Sequence, residues 1–73
     1  MDNNDNKTYL DRMHEEETQL KERIDKLSTF ITQNNKFKGL PLQKRQLLIH
    51  QLDAMKLYEY FLAKRIALEH LEP

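Results

Sequence analysis

The segment Asn34–Pro41, NNKFKGLP, decides the fold of this 73-residue chain. It contains the only glycine, one of the two prolines and two adjacent asparagines, and these residue types favour turns. Pro41 also suits the first turn of a helix, because the N–H that proline lacks would have no partner there. We therefore expect a turn over residues 34–41, with a helix on either side.

A heptad pattern of apolar residues precedes the turn. Its 3-4 spacing, in which Glu17 fills the one missing step, predicts a helix over about residues 7–33. Asn6 and Thr8 are the candidate N-caps, and residues 1–6 are polar and expected to be disordered. The apolar seam of this helix consists of Leu10, Met13, Leu20, Ile24, Leu27 and Ile31.

After the turn, residues 42–71 predict a second helix that carries two apolar stripes. The first stripe matches the seam of the first helix in an antiparallel pairing that also brings Glu17 close to Glu59. These two carboxylates either tilt into solvent at the rim or form a polar layer that fixes the register. The first stripe is Leu48, Leu52, Met55, Leu62 and Ile66, and the second is Leu47, Ala54, Tyr58, Phe61 and Leu68.

The second stripe predicts self-association. A two-helix hairpin has one internal interface, so this stripe would be exposed in a single chain, and monomers rarely expose such patches. A chain of 73 residues also buries too little surface to be more than marginally stable alone. The predicted fold class is therefore all-α: residues 7–71 form one antiparallel two-helix hairpin that oligomerises into a helical bundle.

The composition and the charge distribution indicate which kinds of partner the protein can have. Twelve basic and twelve acidic residues balance, but the stretch from Lys26 to Leu52 contains five bases and no acid. This basic middle either attracts phosphates or an acidic partner or is a solvated region, and the zero net charge argues against double-stranded nucleic acid. The chain has no cysteine and no apolar run long enough for a membrane span, so we expect a cytoplasmic protein without a membrane partner.

Residue patterns for catalysis are missing from the sequence. There is no glycine-rich phosphate loop, and Ser28, the only serine, has no neighbouring histidine. His14, His50 and His70 are far apart along the chain, whereas a metal site needs ligands that converge. We expect neither an enzyme nor a bound metal or cofactor.

Two places combine aromatic and cationic side chains, which together can stack on a base and contact a phosphate. Helices of this length hold the two places about 40 Å apart, so they can meet only between chains. Phe37 either contacts a ligand or folds back with Leu40 over the turn. The open end of the hairpin offers Tyr9, Arg12, Lys64 and Arg65, and the turn end offers Lys36, Phe37, Lys38, Lys44 and Arg45.

Four short motifs follow one another along the chain. They are Tyr9-x-x-Arg12, Phe37-x-x-Leu40-Pro41, Leu48-x-x-Gln51-Leu52-x-x-Met55 and Arg65-Ile66. In this order they resemble very small helical-hairpin proteins of tailed and crAss-like phages, over nearly the whole chain. The chain size, the polar turn and the placement of Tyr9, Arg12 and Lys26 are also similar to phage hairpin "sponges", oligomers that sequester cyclic oligonucleotide and related signals of bacterial immune systems such as CBASS and Thoeris.

The resemblance implies a non-enzymatic phage accessory protein that oligomerises and sequesters a small anionic nucleotide signal. Such a protein would counter antiviral signalling in the cytoplasm of the infected host cell. On this hypothesis Tyr9 stacks on a base, and Arg12, Lys26 and Arg65 contact phosphates. The alternative is a homo-oligomeric interaction module that binds or inhibits a host or phage protein without a small ligand, and a phage structural or assembly component is a third hypothesis.

Overall fold

The computed structural model describes residues 8–71, which form helices and no strand. The helices are α1 (Tyr9–Gln33), α2 (Asn35–Lys38) and α3 (Leu42–Leu71). The two long helices pack against each other, which confirms the predicted all-helical fold and the pairing of its helices. The predicted disorder of residues 1–6 concerns a segment that lies outside the described residues.

A capping box starts α1. The Thr8 hydroxyl accepts a hydrogen bond from the Asp11 N–H at 3.0 Å, and the Asp11 carboxylate accepts one from the Thr8 N–H at 3.3 Å. Two N–H groups that lack helical partners are satisfied in this way. Thr8 is one of the two predicted caps, and the other, Asn6, lies outside the described residues.

The segment between the long helices contains one helical turn, α2, that the sequence does not predict. Asn34 caps it by accepting the Lys36 N–H at 2.8 Å. Phe37 is buried and meets the Phe30 ring edge to face, with ring centroids 6.0 Å apart. Gly39 has a φ of −82°, an ordinary right-handed conformation, so the backbone here does not require glycine. Phe37 therefore closes the turn end of the hairpin.

The core lies along the contact between α1 and α3. Met13 and Leu20 from α1 are buried together with Leu62 and Ile66 from α3, and Leu62 is 1% exposed. These residues come from the seam of the first helix and from the first stripe of the second. The partly buried residues packed against this cluster are Leu10, Ile24 and Met55.

The hairpin is elongated. It measures 51 × 27 × 18 Å and has a radius of gyration of 16.5 Å, whereas a compact domain of this length would have about 11 Å. A single line of helix contact therefore supplies most of the buried apolar surface. Among residues 8–71, no second layer of structure packs against the outer face of α3.

Candidate functional site

Tyr9 and Arg65 are in contact at the open end of the hairpin. The Arg65 Nη2 donates a hydrogen bond to the Tyr9 hydroxyl at 2.7 Å, and both side chains are exposed. Arg12 is also exposed and lies on the first turn of α1. Lys64 lies over the Tyr60 ring, with its ammonium 5.3 Å from the ring centroid. The open end thus has exposed cationic groups beside two tyrosines.

Lys26, the fourth residue predicted to bind the ligand, lies elsewhere. It sits on α1 roughly 25 Å beyond Tyr9, at a rise of about 1.5 Å per residue. One chain therefore does not bring Lys26 together with Tyr9, Arg12 and Arg65. Instead it brings Lys26 close to the turn.

An open groove lies where α1 ends and α2 begins. Its volume of about 730 Å³ is within the range of small-molecule sites. Two lysines, three side-chain amides and one half-buried aromatic ring face it. We call it the turn-end groove, and its lining residues are Lys26, Thr29, Phe30, Gln33, Asn34, Asn35 and Lys36.

Two contacts position the walls of the turn-end groove. The edge-to-face contact with buried Phe37 holds the Phe30 ring, with the ring planes at 86°. The hydrogen bond from the Lys36 N–H to the Asn34 side chain holds the start of α2 against the end of α1. Lys26 and Lys36 themselves are exposed, so their long side chains can adjust to a bound anion.

The residues predicted for a turn-end anion site are distributed around the turn. Lys36 lines the groove, whereas Phe37 is buried behind it and is 9% exposed. Lys38 and Lys44 are exposed outside the lining of the groove. The Arg45 Nε donates to a backbone carbonyl of the turn at 3.0 Å, so this side chain helps to close the turn.

Phe30 and the three amides of the groove were missed by sequence reasoning. A signal for part of the set was present, because Lys26, Phe30 and Gln33 have the spacing of residues that share one face of a helix. The sequence predicts only a turn-forming role for Asn34 and Asn35. The fold gives them a second role, since both line the groove.

Glu17 and Glu59 meet at the contact between the long helices, and both are half-buried. A hydrogen bond with the Glu17 side chain is the main cause that raises the pKa of Glu59 above its usual value of 4.5, and partial burial raises it further. Lys21, whose ammonium lies 3.8 Å from the Glu17 carboxylate, opposes this effect. The pair is therefore a polar contact between the two long helices.

The raised pKa predicts how a substitution at Glu59 affects stability. The folded chain holds the Glu59 proton more tightly than the unfolded chain does, so the pair weakens the fold at neutral pH and ceases to do so as the pH falls below about 4.5. Glu59→Gln removes one like charge and keeps a donor for Glu17. We expect it to raise the free energy of unfolding at pH 7 by about 0.5 kcal/mol, as measured by urea unfolding.

The comparison is with Glu16→Gln, which removes the same charge at an exposed position of α1. That variant should change stability little at either pH. The gain from Glu59→Gln should shrink when the titration is repeated at pH 4. A loss of stability from Glu59→Gln at pH 7 would contradict an unfavourable contact between the two carboxylates.

Most of the exposed large apolar side chains belong to α3. All of them except Tyr9 lie on this helix, among the residues that the structure describes. Every residue of the predicted second stripe is exposed, and Phe61 also contacts Tyr60 with ring centroids 5.3 Å apart. No helix within residues 8–71 is long and apolar enough to cross a membrane. The exposed stripe is thus an uncovered apolar face on an otherwise charged hairpin.

These features define a small helical-hairpin protein with an open, basic groove at its turn and an uncovered apolar face on α3. A sequence model of the Sequestin family matches residues 7–68, which is most of the chain. The chain therefore belongs to the Sequestin family. No curated protein and no solved structure matches it.

Proposed function

We propose that this chain is a non-enzymatic phage accessory protein that oligomerises and sequesters a small anionic nucleotide signal of the cyclic oligonucleotide class. The observation that carries the proposal is the turn-end groove, where Lys26 and Lys36 flank Phe30 in a stretch of chain without acidic residues. The family name is consistent with a sequestering function. The protein would act in the cytoplasm of the infected cell.

The parts of the turn-end groove suit the parts of a nucleotide. The ammonium groups of Lys26 and Lys36 neutralise phosphate oxygens, and Phe30 offers apolar surface to a base. The side-chain amides of Gln33 and Asn35 can donate to and accept from the polar edge of that base. Each element of a small anionic nucleotide thereby has a complementary group.

Self-association would complete the site. The second stripe of α3 supplies an apolar interface, and covering it in a two-fold assembly would remove the exposed patch. An antiparallel arrangement of subunits places the open end of one hairpin near the turn end of another. Tyr9, Arg12 and Arg65 would then extend the turn-end groove of the neighbouring chain.

The groove favours a mechanism in which the nucleotide is bound but is not chemically converted. Its lining residues, all within the described part of the chain, include neither a histidine nor a carboxylate, the usual groups for general acid–base catalysis. The bound nucleotide would therefore stay intact. Sequestration then acts by mass action, since it lowers the free concentration of the signal.

Calorimetric titration with a panel of cyclic dinucleotides and trinucleotides tests the proposal. We expect saturable binding to the wild-type chain at low salt and an affinity at least about 10-fold lower for the double variant Lys26→Gln, Lys36→Gln, since a hydrogen bond to a charged group is worth about 1.5–3 kcal/mol. Lys56→Gln removes an exposed lysine of α3 outside the groove and should bind as the wild type does.

Further experiments test three parts of the proposal separately: the contribution of the open end, the absence of catalysis and the existence of a small ligand. Arg12→Gln with Arg65→Gln should weaken binding if the open end completes the site in the assembly. Heating the complex should release the nucleotide unchanged, whereas a cleaved product would indicate an enzyme. If no nucleotide of the panel binds, the small-ligand function is wrong.

The uncovered face of α3 favours a second candidate function. Exposed Leu47, Tyr58 and Phe61 provide the aromatic and aliphatic surface typical of protein interfaces. On this alternative the hairpin, as a homo-oligomer, binds or inhibits a host or phage protein and takes no small ligand. An oligomer that ignores every nucleotide of the panel but pulls down one defined host protein in stoichiometric amount would favour it.

A further inference from the structure

Two histidines from opposite ends of the chain meet at the open end of the hairpin. His14 on α1 and His70 on α3 are separated by 56 residues in sequence, yet their Nε2 atoms lie 3.1 Å apart. Their ring centroids are 5.4 Å apart and the ring planes are tilted by 52°. Because the nitrogens are much closer than the centroids, the two Nε2 atoms face each other.

The spacing of the two nitrogens is close to that of a chelated metal ion. Two histidine nitrogens at 2.0–2.1 Å from a tetrahedral ion lie about 3.3 Å apart, slightly more than the distance observed between His14 and His70. Both rings are exposed, so the side chains can rotate to widen this gap and to turn both nitrogens towards one ion without disturbing packed neighbours. Water has access to the remaining coordination positions.

The facing nitrogens form one hydrogen bond, in which one imidazole is the donor and the other the acceptor. For an ion to bind both Nε2 atoms, the donor ring moves its proton from Nε2 to Nδ1, and the ion then binds the lone pair of each neutral ring. Neutral imidazole is a preferred ligand of copper, nickel and zinc, whereas magnesium and calcium prefer oxygen. The donor set therefore selects transition metals.

We propose that His14 and His70 form a two-histidine site for a divalent transition metal, which clasps the start of α1 to the end of α3. Residues 8–71 contain no group of three or more histidine, cysteine or carboxylate side chains placed to hold a metal, so water completes the coordination. The site lies at the open end, away from the turn-end groove. It does not depend on the proposed nucleotide function.

Metal binding at this site stabilises the fold. The two ligands come together only when the hairpin forms, because in the unfolded chain a long loop separates them. An ion that binds the folded chain and not the unfolded chain raises the melting temperature with increasing concentration. Affinity should follow the order of copper above nickel and zinc.

Thermal unfolding of the full, tag-free chain at pH 7.5 tests the site, with CuCl2, ZnCl2 and MgCl2 as the probes. We expect Tm to rise by on the order of 10 °C at a copper concentration far above the dissociation constant, to rise less with zinc and to stay unchanged with magnesium. His14→Gln and His70→Gln should each abolish the rise. His50→Gln is the matched control, because His50 is an exposed histidine of α3 without a histidine partner among its described contacts, and it should retain the rise.

A second measurement detects bound copper directly and does not depend on the stability of the protein. The electron paramagnetic resonance spectrum of bound Cu²⁺ should show two histidine nitrogens in the wild type and one in either single variant. Absence of any copper-dependent rise in the wild type, or a rise that persists in both His14→Gln and His70→Gln, would overturn the proposal.

Discussion

Replacing Leu62 with alanine is expected to lower the free energy of unfolding by about 3 kcal/mol, since it leaves a cavity at a buried leucine. Leu62 is 1% exposed and belongs to the same cluster as Met13, Leu20 and Ile66. A chain of this length has a total stability of about 4–11 kcal/mol. The variant should therefore show a large drop in the urea midpoint, measured by circular dichroism, or fail to fold at room temperature.

Leu42→Ala is the matched control for this prediction. It deletes the same atoms from the same helix, but Leu42 is 58% exposed in the single chain, and exposed substitutions usually change stability by less than about 0.5 kcal/mol. Leu42 is also outside the predicted oligomer interface. Equal losses from both variants would show that the contact between α1 and α3 does not dominate the stability of the hairpin.

The two long helices and their packing could be predicted because the same signal repeats many times. The heptad spacing runs through most of α1, and the matching stripe runs along α3. Leu20 and Leu62, which belong to these two patterns, are buried in one cluster. One residue that departs from the pattern changes the prediction little, because the other residues on the same helix face indicate the same packing.

The short helix α2 could not be predicted, because four residues are too few to show a helical period. Its formation depends on the Asn34 cap and on the burial of Phe37 against Phe30. The cap is a local feature, whereas the ring contact depends on how the chain leaves α1. The turn composition therefore predicts a change of direction and not the helical turn that makes it.

The candidate sites depend more strongly on tertiary structure. Lys26 and Phe30 share a face of α1 by their spacing, but the spacing does not show that α2 brings Lys36 to the same groove. The contact between His14 and His70 likewise depends on the register of the two helices and on the direction of both side chains. Neither arrangement leaves a motif of fixed spacing in the sequence.

Phe61→Asp is expected to reduce the proposed assembly to single chains of 8.9 kDa. Phe61 is 55% exposed in the hairpin and lies in the second stripe of α3 between Tyr58 and Leu68. Aromatic residues at the centre of an interface contribute about 2 kcal/mol or more, and an aspartate in the same place would add a buried charge. The dissociation constant of the oligomer should therefore rise at least about 30-fold, which sedimentation velocity over a concentration series measures.

Tyr60→Asp is the matched control for this prediction, because it replaces an exposed aromatic residue of α3 that lies outside the second stripe. Tyr60 is 53% exposed, nearly the same as Phe61, and points about 100° away around the helix. Tyr60→Asp changes the net charge by the same amount as Phe61→Asp and should remain oligomeric. Circular dichroism should show both variants to be helical.

Two outcomes would contradict the prediction. An unchanged sedimentation profile for Phe61→Asp would exclude the second stripe as the interface. A wild-type chain that sediments as a folded monomer at micromolar concentration would exclude the assembly itself. In either case Tyr9 and Arg65 would lose the neighbouring groove that self-association gives them, and the turn-end groove would have to bind the nucleotide alone.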